Sequence, residues 1–110
     1  MGRIHIPAAL AAVLLAVAGS PALAQDATAG KQLAGQCRTC HGLDGIAQIP
    51  IAPNLAGESQ IYLEKQLKAF RSGERENEMM SVVVKNLSDK QISDLSAWYA
   101  SIRVTATMPQ

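Results

Sequence analysis

From Thr28 to Ile102 apolar positions recur at helical rather than alternating spacing, and polar or glycine-rich stretches break them into segments. The stretch "DATAGKQLAGQCRTC" predicts a first helix from about Thr28 to Thr39, with Asp26 or Thr28 as cap and Leu33 on the face of Cys37. In "ESQIYLEKQLKAFRSG" the residues Leu63, Leu67 and Phe70 mark one helical face, Ser59 suits the N-cap and Gly73 the C-terminal stop. A last helix begins at "LSDKQ": Ser88 and Gln91 form a capping box, and Ile92, Leu95, Tyr99 and Ile102 share an apolar face.

The intervening segments read differently. "HGLDGIAQIPIAPNLAG" is rich in Gly and Pro and predicts an ordered loop. The charged "ERENE" leads into "MMSVVVKNL", where Val82, Val83 and Val84 favour a strand by side-chain branching. Helix formers and a cap signal flank them and no partner strand is evident, so the predicted class is all-α. The tail "VTATMPQ" lies beyond the last predicted helix, and the chain has no internal repeat.

The N-terminus changes the picture. Arg3 is followed by an apolar run from Ala8 to Ala18, a break at Gly19–Pro21 and the small residues Ala22–Ala24. This is the layout of a secretory signal peptide, residues 1–24, with cleavage after Ala24 and a single domain over 25–110. The run is too short to span a bilayer as a helix, and no later segment approaches that length.

The whole chain holds 10 Lys/Arg and 9 Asp/Glu. Arg3 is the only charge in the leader, so the remainder is balanced. No basic stripe marks a nucleic-acid binder. The aromatics are Tyr62, Phe70, Trp98 and Tyr99. A domain this small with so few large side chains needs a staple or a cofactor to complete its core.

The only cysteines lie in "QCRTCHG", residues 36–42. A disulfide between Cys37 and Cys40 would close a very short, strained loop. A thioredoxin-like dithiol needs a βαβ setting that the chain lacks. Zinc needs four ligands, and only Cys37, Cys40 and His41 are at hand once His5 leaves with the leader. Covalent haem needs what is present: two thiols on one helical turn for the vinyl groups, and a histidine carried over the ring towards iron. For a second axial ligand the later methionines are Met79, Met80 and Met108. Met108 lies beyond the last helix, whereas "MM" follows a polar stretch in the far part of the domain from His41. A thioether donor favours ferrous iron and raises the potential.

With these motifs in order, the chain from about Ala29 to Ile102 resembles a class I c-type cytochrome, closest to small bacterial monohaem members and to single halves of related dihaem ones. "GKQLAGQCRTCHG" resembles the first helix and haem turn, "APNLAG" the proximal loop, "YLEKQLKAFRSGER" the middle helix and "MMSVVVKNLSDKQISDLSAWYAS" the methionine segment with the C-terminal helix. The resemblance implies a cytochrome c fold of three to four main helices around one covalently bound haem c. It implies thioethers at Cys37 and Cys40, proximal ligation by His41 and a hydrogen bond from that imidazole to the carbonyl of Pro53. It also places the distal thioether at Met80, the second methionine before "NLSD", with Met79 packing nearby. Gly30 matches the small residue where first and last helices cross, with Tyr99 on the aromatic face of that crossing.

The function so implied is a periplasmic one-electron carrier, not an enzyme, with redox proteins as partners. The alternatives are a haem c subunit of a periplasmic dehydrogenase or oxidase complex and, if Met80 is not on iron, a sensor or enzyme with an open haem. Glu74, Arg75, Glu76 and Glu78 lie beside the methionine segment, where they bias partner choice or form a solvated face.

Overall fold

A computed structural model of the protein describes residues 1–3 and 25–110. The predicted leader rests on residues 4–24, which lie outside the described residues.

The described fold is helical, with no strand among the described residues. Helix α1 spans Ala27–Leu33, and Asp26 caps it by accepting from the backbone N–H groups of Thr28 at 2.8 Å and Ala29 at 3.1 Å. The chain then tightens into a 3-10 turn over Ala34–Gln36 and resumes as α2, Arg38–His41. The continuous helix predicted from Thr28 to Thr39 is therefore two helices about a tight turn. Gly35, a poor helix former, sits inside that turn. The break matters because Cys37 lies at it, as the residue that caps α2.

Gly42 ends α2 at φ +73°, a left-handed conformation that a side chain resists. The long loop after it is held by its own bonds. The N–H groups of Leu55 and Ala56 both reach the Gly45 carbonyl, at 2.7 and 3.1 Å, and the Ala47 N–H reaches the Asn54 side chain at 2.7 Å. Helix α3 spans Gln60–Ser72, starting at the Ser59 cap and ending at left-handed Gly73. Helix α4 is a single turn, Met80–Val83, so the valine run is helical at its start and carries no strand. Helix α5 spans Asp89–Ser101 behind a complete capping box: Ser88 accepts from the Gln91 N–H at 3.1 Å, and Gln91 accepts from the Ser88 N–H at 2.9 Å.

Helices α1 and α3 both pack on α5. The buried core joins Ala34, Leu63, Phe70, Val84, Leu87, Ile92, Leu95 and Tyr99. Gly30 is the contact point of α1 with α5, where a Cβ would collide with the Asp94 carbonyl and reach the Trp98 Cβ at 3.0 Å. The aromatic at the crossing is thus Trp98 rather than Tyr99. One residue turns a helix by about 100°, which takes Tyr99 from that seam into the core.

Candidate functional site

The thiol-bearing turn is built by local bonds. The N–H groups of Cys40 and His41 both donate to the Cys37 carbonyl, at 3.3 and 3.0 Å, which puts both sulfurs and the imidazole on one helical turn. Cys37 and Cys40 are free thiols, each half-buried. Burial, with the neighbouring Cys40 second, pushes the Cys37 thiol up to about 11. A reactive thiol needs a lowered pKa, and the shift at Cys37 runs the other way. Among the described residues no group of three or more His, Cys, Asp and Glu side chains is arranged to hold a metal ion.

His41 is buried, and its Nδ1 lies 2.9 Å from the carbonyl oxygen of Pro53. A carbonyl can only accept, so the ring donates from Nδ1 and keeps the lone pair of Nε2 free. Two further bonds hold the loop that follows. The buried Tyr99 hydroxyl donates to the Gly42 carbonyl at 3.0 Å, and the Trp98 indole N–H donates to the Leu43 carbonyl at 2.9 Å. Burial, then the nearby Cys37 and Asp44, push the Tyr99 phenol up, so it stays a donor at neutral pH. Helix α5 therefore positions the histidine turn from behind, a role for Trp98 that its spacing along the helix did not indicate.

The two methionines of "MM" differ. Met79 is half-exposed, while Met80 is partly buried and packs against the core cluster. Asn77 accepts from the N–H groups of Met79 at 3.0 Å and Met80 at 2.9 Å. Within the charged stretch the signal for this contact is the asparagine itself, a capping residue just before a helix. Met108 is exposed beyond α5, and Glu74, Arg75, Glu76 and Glu78 are exposed beside the methionine segment.

These residues fit a covalently bound porphyrin. Two unpaired thiols share one turn with an imidazole whose free nitrogen is fixed by Pro53. Cys37, Leu43, Leu55, Leu67 and Met80 pack against one apolar core, so the thiol turn, the loop, α3 and the methionine segment meet there. A separate groove of about 800 Å³ lies between α1, α2 and α5, lined by Lys31, Arg38, Asp44 and Trp98 among others. Its walls include none of Cys37, Cys40, His41 or Met80, so it is not this site. Among the described residues no helix is long and apolar enough to cross a membrane.

The sequence profile of the Cytochrome c family matches residues 27–103. The chain is similar to cytochrome c-554(548) of Halomonas halodenitrificans, with 44% identity over 81 residues that cover 71% of this chain and 98% of that protein. It is similar to cytochrome c4 of Pseudomonas aeruginosa, with 37% identity over 94 residues covering 86% of this chain and 47% of that one. Among solved structures, reduced recombinant cytochrome c4 from Pseudomonas stutzeri superposes with a TM-score of 0.68 at 34% identity, over 73% of this chain and 47% of that chain. The chain thus spans about half the length of these cytochrome c4 proteins.

Proposed function

The chain belongs to the cytochrome c family, and on that premise we propose that it is a periplasmic one-electron carrier with one covalently bound haem c. Cys37 and Cys40 would hold the haem as thioethers, and His41 and Met80 would supply the ligands to its iron. When bound, the group supplies an iron that cycles between ferric and ferrous states. The protein supplies the rest. The Pro53 carbonyl accepts a hydrogen bond from the Nδ1–H of His41, which fixes the ring and strengthens Nε2 as a donor. Tyr99 and Trp98 hold the backbone just after His41. Met80 would bring a thioether from the segment before α5, so that with His41 the iron would carry two protein ligands and serve electron transfer rather than substrate binding. The observation that carries this reading is the His41–Pro53 bond, because it orients the imidazole as a ligand beside two unpaired thiols.

The partners are redox proteins that dock briefly, as small electron-transfer contacts do. The balanced charge of residues 25–110 argues against docking driven mainly by lysines. Similarity to the thiosulfate dehydrogenase electron acceptor of Thiomonas intermedia, 39% identity over 72 residues covering 64% of this chain and 33% of that one, favours one second reading, a haem c subunit of a periplasmic dehydrogenase or oxidase complex.

The test is a pyridine haemochrome spectrum with denaturing mass measurement on the full chain, expressed with a periplasmic maturation system. One haem retained per chain, with the leader removed after Ala24, is expected. A denatured chain without haem overturns the proposal. Size exclusion of the native extract separates the free carrier from the assembly unit. Rapid binding of carbon monoxide by the reduced protein at neutral pH would overturn the six-coordinate site.

A further inference from the structure

Helix α4 is one turn long, far below the length at which a helix holds itself. Yet it carries Met80, and methionine is among the side chains that lose most freedom when held. A thioether is also a neutral, soft donor that must keep its place on iron against other bases. Its hold therefore depends on how far the segment is set in place beforehand.

Beyond the backbone bonds from Val82, Val83 and Val84 to the Met79 and Met80 carbonyls, four bonds at its start involve one residue. Asn77 accepts from the Met80 N–H at 2.9 Å and the Met79 N–H at 3.0 Å through its side chain. Its own carbonyl accepts from the Ser81 N–H at 3.0 Å, and its own N–H donates to the Ser81 hydroxyl at 3.0 Å. Asn77 is exposed and all four of these bonds stay within residues 77–81, so none ties it to the core. The core holds the segment through the Met80 side chain, which packs against it, and at the far end through buried Val84 and Leu87.

We propose that Asn77, reciprocally bonded to Ser81, is the positioning residue for Met80, setting how firmly the thioether stays on iron. The inference rests on the reading of Met80 as the distal ligand. Removing the Asn77 side chain frees the Met79 and Met80 N–H groups and lets the first turn fray. The bound state of Met80 then has more freedom to lose, and an added base competes better for the same position.

The experiment titrates ferric holoprotein with imidazole and follows the methionine-to-iron absorption band. Asn77→Ala is expected to raise the apparent imidazole affinity about five- to tenfold, the size of a lost cap. Asn77→Asp keeps the acceptor and is expected within about twofold of wild type, and Ser81→Ala falls between the two. Wild-type affinity and an undiminished band in Asn77→Ala would overturn the proposal. If Asn77→Ala yields no holoprotein, Ser81→Ala decides in the same way: a rise supports the proposal and an unchanged affinity overturns it. A wild-type protein without the band would instead overturn the distal-ligand reading, and this inference with it. The two failures are therefore told apart in the unmutated protein.

Discussion

Gly30 of α1 and Asp94 of α5 approach so closely that no side-chain carbon fits between them. In an isolated helix alanine would be preferred there by about 1 kcal/mol. Here the added carbon meets a backbone carbonyl, which cannot rotate away, and overpacking costs up to about 3 kcal/mol or more. Gly30→Ala is therefore expected to lower stability by about 2 kcal/mol net, read as a shifted denaturant midpoint. An unchanged midpoint would mean that the two helices separate at little cost.

The same Asp94 predicts a pH dependence. Its side chain is buried and accepts from the Asp26 N–H at 2.7 Å and the Lys90 ammonium at 2.7 and 2.8 Å. Burial opposes ionisation, but the Lys90 bond, the Asp26 bond and the Lys90 charge outweigh it and hold the carboxyl below the usual range. A depressed folded pKa contributes stability above the unfolded value, and that stability is lost as pH falls through the folded one. Asp94→Asn should be less stable than wild type near pH 7, with the gap narrowing only as pH falls below the ordinary carboxylate range and the wild-type carboxylate protonates. Comparing the two proteins cancels the titration of other groups. A gap that stays constant with pH would remove Asp94 from the acid limb.

Arg71 bridges α3 to the start of α5. It donates to the carbonyl of buried Leu87 at 2.8 Å and pairs with Asp89 at 2.5 Å. The hydrogen bond to Arg71, then its charge, holds the Asp89 carboxyl below the usual range. Asp89 is nonetheless exposed, and exposed ion pairs contribute little. The larger effect belongs to the Leu87 carbonyl, which loses a charged donor worth about 1.5 kcal/mol or more. Arg71→Ala should therefore destabilise the protein clearly more than Asp89→Asn does. Equal losses in denaturant unfolding would show that the ion pair, not the carbonyl bond, matters.

Tyr99→Phe removes the buried hydroxyl that serves the Gly42 carbonyl. The packing is otherwise kept, so the expected loss is about 1–2 kcal/mol from an unpaired acceptor. Covalent haem attachment, read by mass, should be unaffected because Cys37 and Cys40 are untouched. Loss of attachment would assign Tyr99 a role in presenting the turn for maturation.

Replacing the two methionines separately tests the distal ligand. Met80→Ala should abolish the methionine-to-iron absorption band of the ferric protein, whereas Met79→Ala should keep it. If the Met79 change alone removed the band, the half-exposed residue would be the ligand and Met80 its packing neighbour.

Helix ends were legible in the chain because caps are local chemistry. Asp26, Ser59, Ser88 with Gln91, and Gly73 each act on groups a few residues away. The thiol–imidazole turn was legible for the same reason, and so was the apolar face of α5, whose Ile92, Leu95 and Tyr99 are buried. The tight turn at Ala34–Gln36 was not, since propensity alone does not decide whether a helix carries through a glycine.

The sequence by itself determined the helical class, the caps and the cofactor chemistry on offer, because these depend on neighbours along the chain. Only the tertiary structure decided that Trp98 rather than Tyr99 stands at the Gly30 crossing, that Tyr99 and Trp98 secure the turn after His41, and that Met80 packs inward while Met79 does not. Those relations join residues far apart in sequence. They follow from how deeply α1 settles onto α5, a distance set by one missing side chain and by the packing of the whole core.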